Sequence, residues 1–198
     1  AAMRARSFST ITSGWGFRYK LLEDGRRQIL NYVMPGDFIG LQGSLLEEME
    51  HSVEALTSMQ LCVFERNRLV DLYGRAPTLG YDITWMAARE EQMLDEHLLS
   101  IGRRSAYERA AYLLAYLYDR SAMVGLFAET PELISPLTQQ HVADTLGLSL
   151  VHTNKTLKKL SAQRVAEWKE SGFRILDIAG LRDIAGWGGL GDQKRPFI

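Results

Sequence analysis

Leu137-Thr138-Gln139-Gln140-His141-Val142-Ala143-Asp144-Thr145-Leu146-Gly147-Leu148-Ser149-Leu150-Val151-His152-Thr153-Asn154-Lys155-Thr156-Leu157-Lys158-Lys159-Leu160 reads as two helices broken at one glycine. Thr138 offers an N-cap hydroxyl to the first helix. Val142, Ala143 and Leu146 recur at helical spacing toward a core. Gly147 suits a helix end with positive φ, because it has no Cβ to clash there. Ser149 caps the second helix, and Leu157 and Leu160 continue its buried side. Its outward side then carries Leu150, Val151, His152, Asn154 and Lys155, followed by Lys158 and Lys159. A helix-turn-helix has this layout, with its second helix in the DNA major groove. Early residues of such a helix face base edges, and later basic ones meet phosphate. Asn154 suits adenine, Lys155 suits guanine or phosphate, and Leu150 or Val151 suits a thymine methyl. Thr138, Gln139 and Ser149 are further candidate DNA contacts. A plain helical hairpin with a solvated lysine face shares the two-helix pattern, so the flanking sequence decides.

After the second helix, Val165-Ala166-Glu167-Trp168-Lys169, Glu170-Ser171-Gly172 and Phe173-Arg174-Ile175-Leu176-Asp177-Ile178 read as a β-hairpin with a glycine turn. A hairpin in this place is a wing, and Lys169 and Arg174 stand where they can touch backbone phosphate. Over essentially its whole length the chain resembles the Crp/Fnr family of bacterial transcription regulators. The most specific part is the L-T-Q-Q-x-x-A-x-x-L-G-L-S run and the H-x-N-K-x-L-x-x-L that follows. The resemblance implies an α+β fold: an antiparallel β-roll of the cyclic-nucleotide-binding kind, a long dimerisation helix and a C-terminal winged helix-turn-helix. It also places Leu150, Val151 and Lys155 at the family's main base-reading positions. Many relatives carry arginine and glutamate there, so the operator sequence does not carry over.

At 198 residues there is room for two compact domains. The formal net charge of −1 gives no global basic signature, so DNA binding has to rest on local charge. The winged segment supplies it: Lys155, Lys158, Lys159, Arg164, Lys169 and Arg174 outnumber Asp144, Glu167 and Glu170. Cys62 is the only cysteine, which excludes an internal disulfide, a cysteine-ligated iron–sulfur cluster and a zinc knuckle. Set in Leu61-Cys62-Val63-Phe64, it reads as a buried structural thiol. With no bilayer-spanning run and no secretory signal, the expected compartment is the cytoplasm.

The N-terminal part reads as strands and glycine turns. Gly16–Leu22 and Arg26–Val33 form a hairpin about Glu23-Asp24-Gly25; Met34–Gly40 and Val53–Phe64 follow. The roll reads as starting partway through, with strands upstream of Thr10 absent and an edge unpaired. The candidate effector-binding residues are Gly40, Leu41, Gln42, His51 and Ser52. By resemblance, nucleotide-binding relatives place a glutamate for the ribose hydroxyl where Leu41 stands, and an arginine for the cyclic phosphate where His51 stands. A carboxylate accepts from a sugar and a guanidinium forks onto phosphate; leucine and neutral histidine do neither. Usual cyclic AMP binding is therefore expected to be absent, and no cofactor is evident. His51, His97, His141 and His152 show no metal spacing, and His51 reads as a surface residue. Glu47-Glu48-Met49-Glu50 reads as a solvated helix face. No phosphate-cradling loop and no nucleophile–base arrangement supports an enzyme.

Asp82 to Ile101 reads as one helix. Ile83, Met86, Glu90, Met93, His97 and Ile101 form a seam for pairing with a second copy, while Trp85, Leu94 and Leu98 pack on the roll. Gly102-Arg103-Arg104-Ser105 is the expected hinge, Ala106–Tyr118 the next helix, and Leu126–Pro136 an irregular link. The domains divide as 1–78 (roll), 79–101 (connecting helix), 102–186 (winged domain) and 187–198 (a loose tail). The leading reading is a homodimeric, sequence-specific transcription regulator on a pseudo-palindromic site. Its expected partners are double-stranded DNA, RNA polymerase and an unidentified small-molecule effector, with no membrane. The alternative is a small-molecule sensor that signals through protein contacts, the winged domain being its docking surface.

Overall fold

The computed structural model describes residues 7–126, 136–169, 172–191 and 196. They form two compact units: residues 7–25 and 30–95 make the first, residues 26–29 and 96–191 the second. Part of the expected link before Pro136, and Glu170-Ser171 of the wing turn, lie outside the described residues.

The first unit is the β-roll. Strands β1 (Ser7–Ser13), β2 (Gly16–Leu21), β3 (Arg27–Val33), β4 (Phe38–Ile39), β5 (Ser52–Ala55) and β6 (Gln60–Glu65) form two sheets ordered β4-β1-β6 and β3-β2-β5. The β2–β3 hairpin turns at Gly25, whose φ of 85° needs glycine and whose N–H donates to the Leu22 carbonyl at 3.0 Å. Register places Phe8 opposite Phe64, and their rings stack 5.3 Å apart. Helices α1 (Leu41–Leu46) and α2 (Asn67–Arg75) follow β4 and β6. Phe8, Leu69 and Ile83 form an apolar cluster joined by Phe38, Leu41, Phe64 and Leu72. Cys62 is exposed, not buried. Among the described residues β6 has a strand on one side only, and most of its side chains face outward. Glu47 ends α1 in the left-handed region, so the acidic run beyond it is not a helix face.

Helix α3 (Pro77–Arg103) is longer than the sequence suggests, because Pro77 suits a helix start. Three members of the expected seam are engaged within the units: Ile83 is in the roll core, Glu90 pairs with Arg18, and His97 lies against Tyr112 and Tyr116. Leu94 and Leu98, assigned to packing on the roll, are instead 42% and 72% exposed. Ile101 of the expected seam is exposed as well, and the stripe it shares with Leu94 and Leu98 otherwise lies one residue around the helix from that seam. Hydrophobic spacing gives the period of a stripe; its phase depends on what the tertiary fold covers.

The second unit is built on α4 (Ala106–Met123), which packs against α5 (Gln139–Leu146), α6 (Leu150–Ala162) and α7 (Ile178–Ala185). Every residue from Ala110 to Leu117 is buried, including the expected Ala110, Leu113, Leu114 and Leu117. A Ser105–Glu108 capping box starts α4. Gly102 lies inside α3, and the break falls at Arg104-Ser105. Arg104 is fastened there, donating to Glu96 at 2.7 Å and to the Ala185 carbonyl at 2.8 Å while lying over the Tyr112 ring. The start of the expected loose tail is also docked. Trp187 packs edge-on to Tyr112, and the Leu190 N–H donates to Asp119, which also accepts from Arg182.

His97 and Tyr112 share a 2.6 Å hydrogen bond beneath these aromatic rings. Burial pushes the His97 imidazole down to about 4, and burial, then Tyr116 and Glu96, raise the Tyr112 hydroxyl. Below its ordinary value of 6.5 the unfolded chain takes up a proton that folded His97 refuses until about pH 4. Stability is therefore lost as pH falls through that window and is unaffected by this group above it. Urea unfolding should show His97 costing about 2 kcal/mol between pH 7 and pH 5, and His97→Gln should lack that part of the pH slope.

Candidate nucleic-acid interface

Helix α5 begins at Thr138, whose hydroxyl accepts from the His141 N–H at 3.2 Å; His141 Nδ1 accepts in return from the Thr138 N–H at 3.1 Å. The reciprocal cap is legible as a Thr-x-x-x pattern only if histidine is allowed where Glu or Gln usually stands. Val142, Ala143 and Leu146 are buried, as expected. Gly147 ends the helix at φ 65°, its N–H on the Ala143 carbonyl. Arg109 of α4 donates to the Leu146 carbonyl at 3.2 Å, satisfying an acceptor that a helix end leaves open.

Ser149 caps α6, its Oγ accepting from the His152 N–H at 3.3 Å. Thr153, Thr156, Leu157 and Leu160 are buried and fix the rotation of α6 about its axis. Leu150, Val151, His152, Lys155, Lys158 and Lys159 are then all exposed on the opposite side. Asn154 is only half-exposed, and its Oδ1 is buried with no hydrogen-bond partner among the described residues. Thr138 and Ser149 are exposed with their hydroxyls engaged in caps, and Gln139 is half-buried.

The wing is β7 (Ala166–Lys169) paired antiparallel with β8 (Gly172–Ile175). Residues two apart share a face of a strand, and Glu167 stands opposite Arg174. Glu167 therefore meets both wing cations: Oε1 lies 3.2 Å from Lys169 Nζ and 3.6 Å from Arg174 Nη1. Net charge alone does not place Glu167; the Glu-x-Lys spacing in a strand does, by setting its carboxylate beside Lys169. Ile178, read as strand, belongs instead to α7. Asp177 caps that helix through the Gly180 N–H, and Gly186 closes it.

In the roll, Gly40 is the N-cap residue of α1, and Leu41 and Gln42 lie within that helix. Leu41 packs into the apolar cluster with Phe8 and Ile83. Ser52 opens β5 opposite Tyr19. His51 is half-buried rather than a plain surface residue, with Nε2 enclosed and unpartnered among the described residues. Burial, then the charges of Arg18 and Lys20, hold its imidazole below the ordinary value, which keeps it neutral at pH 7. The nearby Arg18 guanidinium, not singled out from sequence, pairs with Glu90 and donates to the Phe38 carbonyl at 2.5 Å.

Residues 2–76 match the cyclic nucleotide-binding domain family, and residues 108–184 match the Crp-like helix-turn-helix domain family. The nitrogen fixation regulation protein FixK of Bradyrhizobium diazoefficiens is 32% identical over 90% of this chain and 74% of its own length. This chain belongs to the Crp/Fnr family. The transcriptional activatory protein AadR of Rhodopseudomonas palustris is 31% identical over 87% of this chain and 71% of its own. The solved structure of FixK2 from Bradyrhizobium japonicum superposes with a TM-score of 0.79 at 25% identity, covering 92% of this chain and 89% of that one. A Crp-family regulator from Thermus thermophilus shares the fold with a TM-score of 0.78 at 21% identity over 96% and 93% of the two chains. Like its relatives, the chain is a sequence-specific DNA-binding transcription regulator and not an enzyme.

A Crp/Fnr wing that holds its own carboxylate against its cations should bind phosphate less well than the cations alone. Glu167→Gln should strengthen binding to unrelated duplexes by about two- to fivefold, within the range of an exposed ion pair. Electrophoretic mobility shifts at fixed salt check it, and equal strengthening on every duplex is expected because phosphate carries no sequence.

Proposed function

We propose that this regulator works as a homodimer on pseudo-palindromic duplex DNA, placing one α6 in the major groove of each half-site about one helical turn apart. The observation that carries the dimer is a stripe on α3. Ala87, Glu91, Leu94, Leu98 and Ile101 follow four-three-four-three spacing, and all are exposed. Such a stripe is the heptad seam of paired helices, and its apolar members gain by burial against a second copy. The exposed face of α6 and the flanking lysines supply the DNA side. Direct contacts are assigned to Leu150, Val151, His152, Lys155, Lys158 and Lys159, with Asn154, Lys169 and Arg174 beside them.

The reading extends to the cytoplasm as compartment and to activation through contact with RNA polymerase, in keeping with relatives named as transcriptional activators. Among the described residues no helix is long and apolar enough to cross a membrane. The proposed effector is a small molecule other than cyclic AMP held in the usual way. Leu41 in the apolar cluster and a neutral His51 support this. Calorimetric titration giving micromolar cyclic AMP affinity would overturn that part.

Two measurements test the rest. Leu98→Lys should convert the dimer to monomer in sedimentation and weaken binding to a two-half-site duplex at least tenfold. A dimer unaffected by that change places the interface elsewhere. In vitro selection from random duplexes should enrich a two-fold symmetric motif, with binding that falls steeply as salt rises. Equal affinity for all duplexes would sink the reading.

A further inference from the structure

The first turn of α6 offers a DNA groove mainly hydrocarbon. Leu150 and Val151 follow the Ser149 cap directly and stand 41% and 67% exposed. The burial of Thr153, Thr156, Leu157 and Leu160 leaves no rotation of the helix that would turn these two inward. Among the outward residues of the first two turns, His152, Asn154 and Lys155 can form hydrogen bonds. Asn154 lacks half of its capacity: pairing with adenine needs the amide oxygen and the amide nitrogen together, and Oδ1 is buried. Lys155 serves guanine or phosphate with equal ease. Beside His152, Leu150 and Val151 carry no hydrogen-bonding side-chain group, so these two can recognise a base only by apolar contact.

Only one base edge in the major groove of unmodified DNA presents an apolar group, the thymine C5 methyl. We propose that Val151, with Leu150 beside it, reads thymine methyl groups, so that operator recognition at these positions rests on apolar contact. The proposal depends on α6 entering the major groove, as argued above. It carries a corollary that hydrogen-bond readout would not: 5-methylcytosine, which presents the same methyl from a different base pair, should be accepted in place of thymine better than cytosine is.

The test uses the full chain and the duplex enriched by selection, with each thymidine replaced in turn by deoxyuridine. One or two positions per half-site should each weaken binding about fourfold, the size expected from exposing one methyl-sized group. At one of them 5-methylcytosine should bind more tightly than cytosine. In Val151→Ala the deoxyuridine penalty should vanish at one position, and in Leu150→Ala at its neighbour. Both side chains are exposed and alanine favours helix, so circular dichroism should show both variants folded. Deoxyuridine tolerated at every position, or a penalty that persists in both variants, overturns methyl readout while leaving the major-groove placement intact. Failure to enrich any motif would instead overturn the placement itself.

Discussion

Everything the winged unit can do depends on the burial of one face of α6. Thr153, Thr156, Leu157 and Leu160 lie inward, and α6 packs against α4, α5 and β7. A helix has few ways to bury such a stripe, and each fixes which residues remain outside. Once that face is set, Leu150, Val151, His152 and Lys155 have no choice of direction. The caps make the arrangement sharper. Thr138 and His141 at one end of α5, Gly147 at the other and Ser149 at the head of α6 settle where each helix starts and stops. The turn between the helices is thus determined by local chemistry, and the outward face by packing.

A second constraint concerns polar groups inside the same unit. Arg104, Arg109 and Asp119 are half-buried or buried, yet each satisfies several backbone or side-chain groups. Burying a charge is costly unless it is paired and hydrogen-bonded. Arg104 and Asp119 offset that cost through ion pairs with Glu96 and Arg182, and Arg109 through backbone carbonyls that link the end of α3 to the end of α5; Asp119 also holds the backbone of Leu190. Trp187 and Leu190, beyond α7, are thereby part of the folded unit.

These details also explain what could and could not be read from the sequence. Thr138, Gly147 and Ser149 were legible because a cap or a left-handed glycine is dictated by its immediate neighbours. The antiparallel pairing of β7 and β8 was legible for the same reason. Cys62 was not, because an apolar strand looks alike whether its faces are covered or open. The α3 stripe was not, because its spacing fits two faces one residue apart, and Arg18, Tyr112 and Tyr116 decide between them through Glu90 and His97. Helix α7 is short and was absorbed into the preceding strand, although Asp177 and Gly186 mark its two ends. Trp187 read as a tail among glycines, because nothing local reveals that Tyr112 waits for it. The residues that faced DNA in the sequence reading are largely those the structure leaves exposed; Asn154 is the one whose oxygen the fold has covered.

Glu167 gives the wing a property that a bare pair of cations would not have. A lysine or arginine that meets a phosphate displaces small cations condensed on the DNA, and their release is what makes such binding fall with salt. Lys169 and Arg174 already carry an anion that is covalently part of the protein. A phosphate that approached them would have to displace that carboxylate, so part of its attraction would go into breaking ion pairs already made. A wing so neutralised would act less as a source of attraction than as a selective latch, closing only where phosphate geometry outcompetes a carboxylate that never leaves.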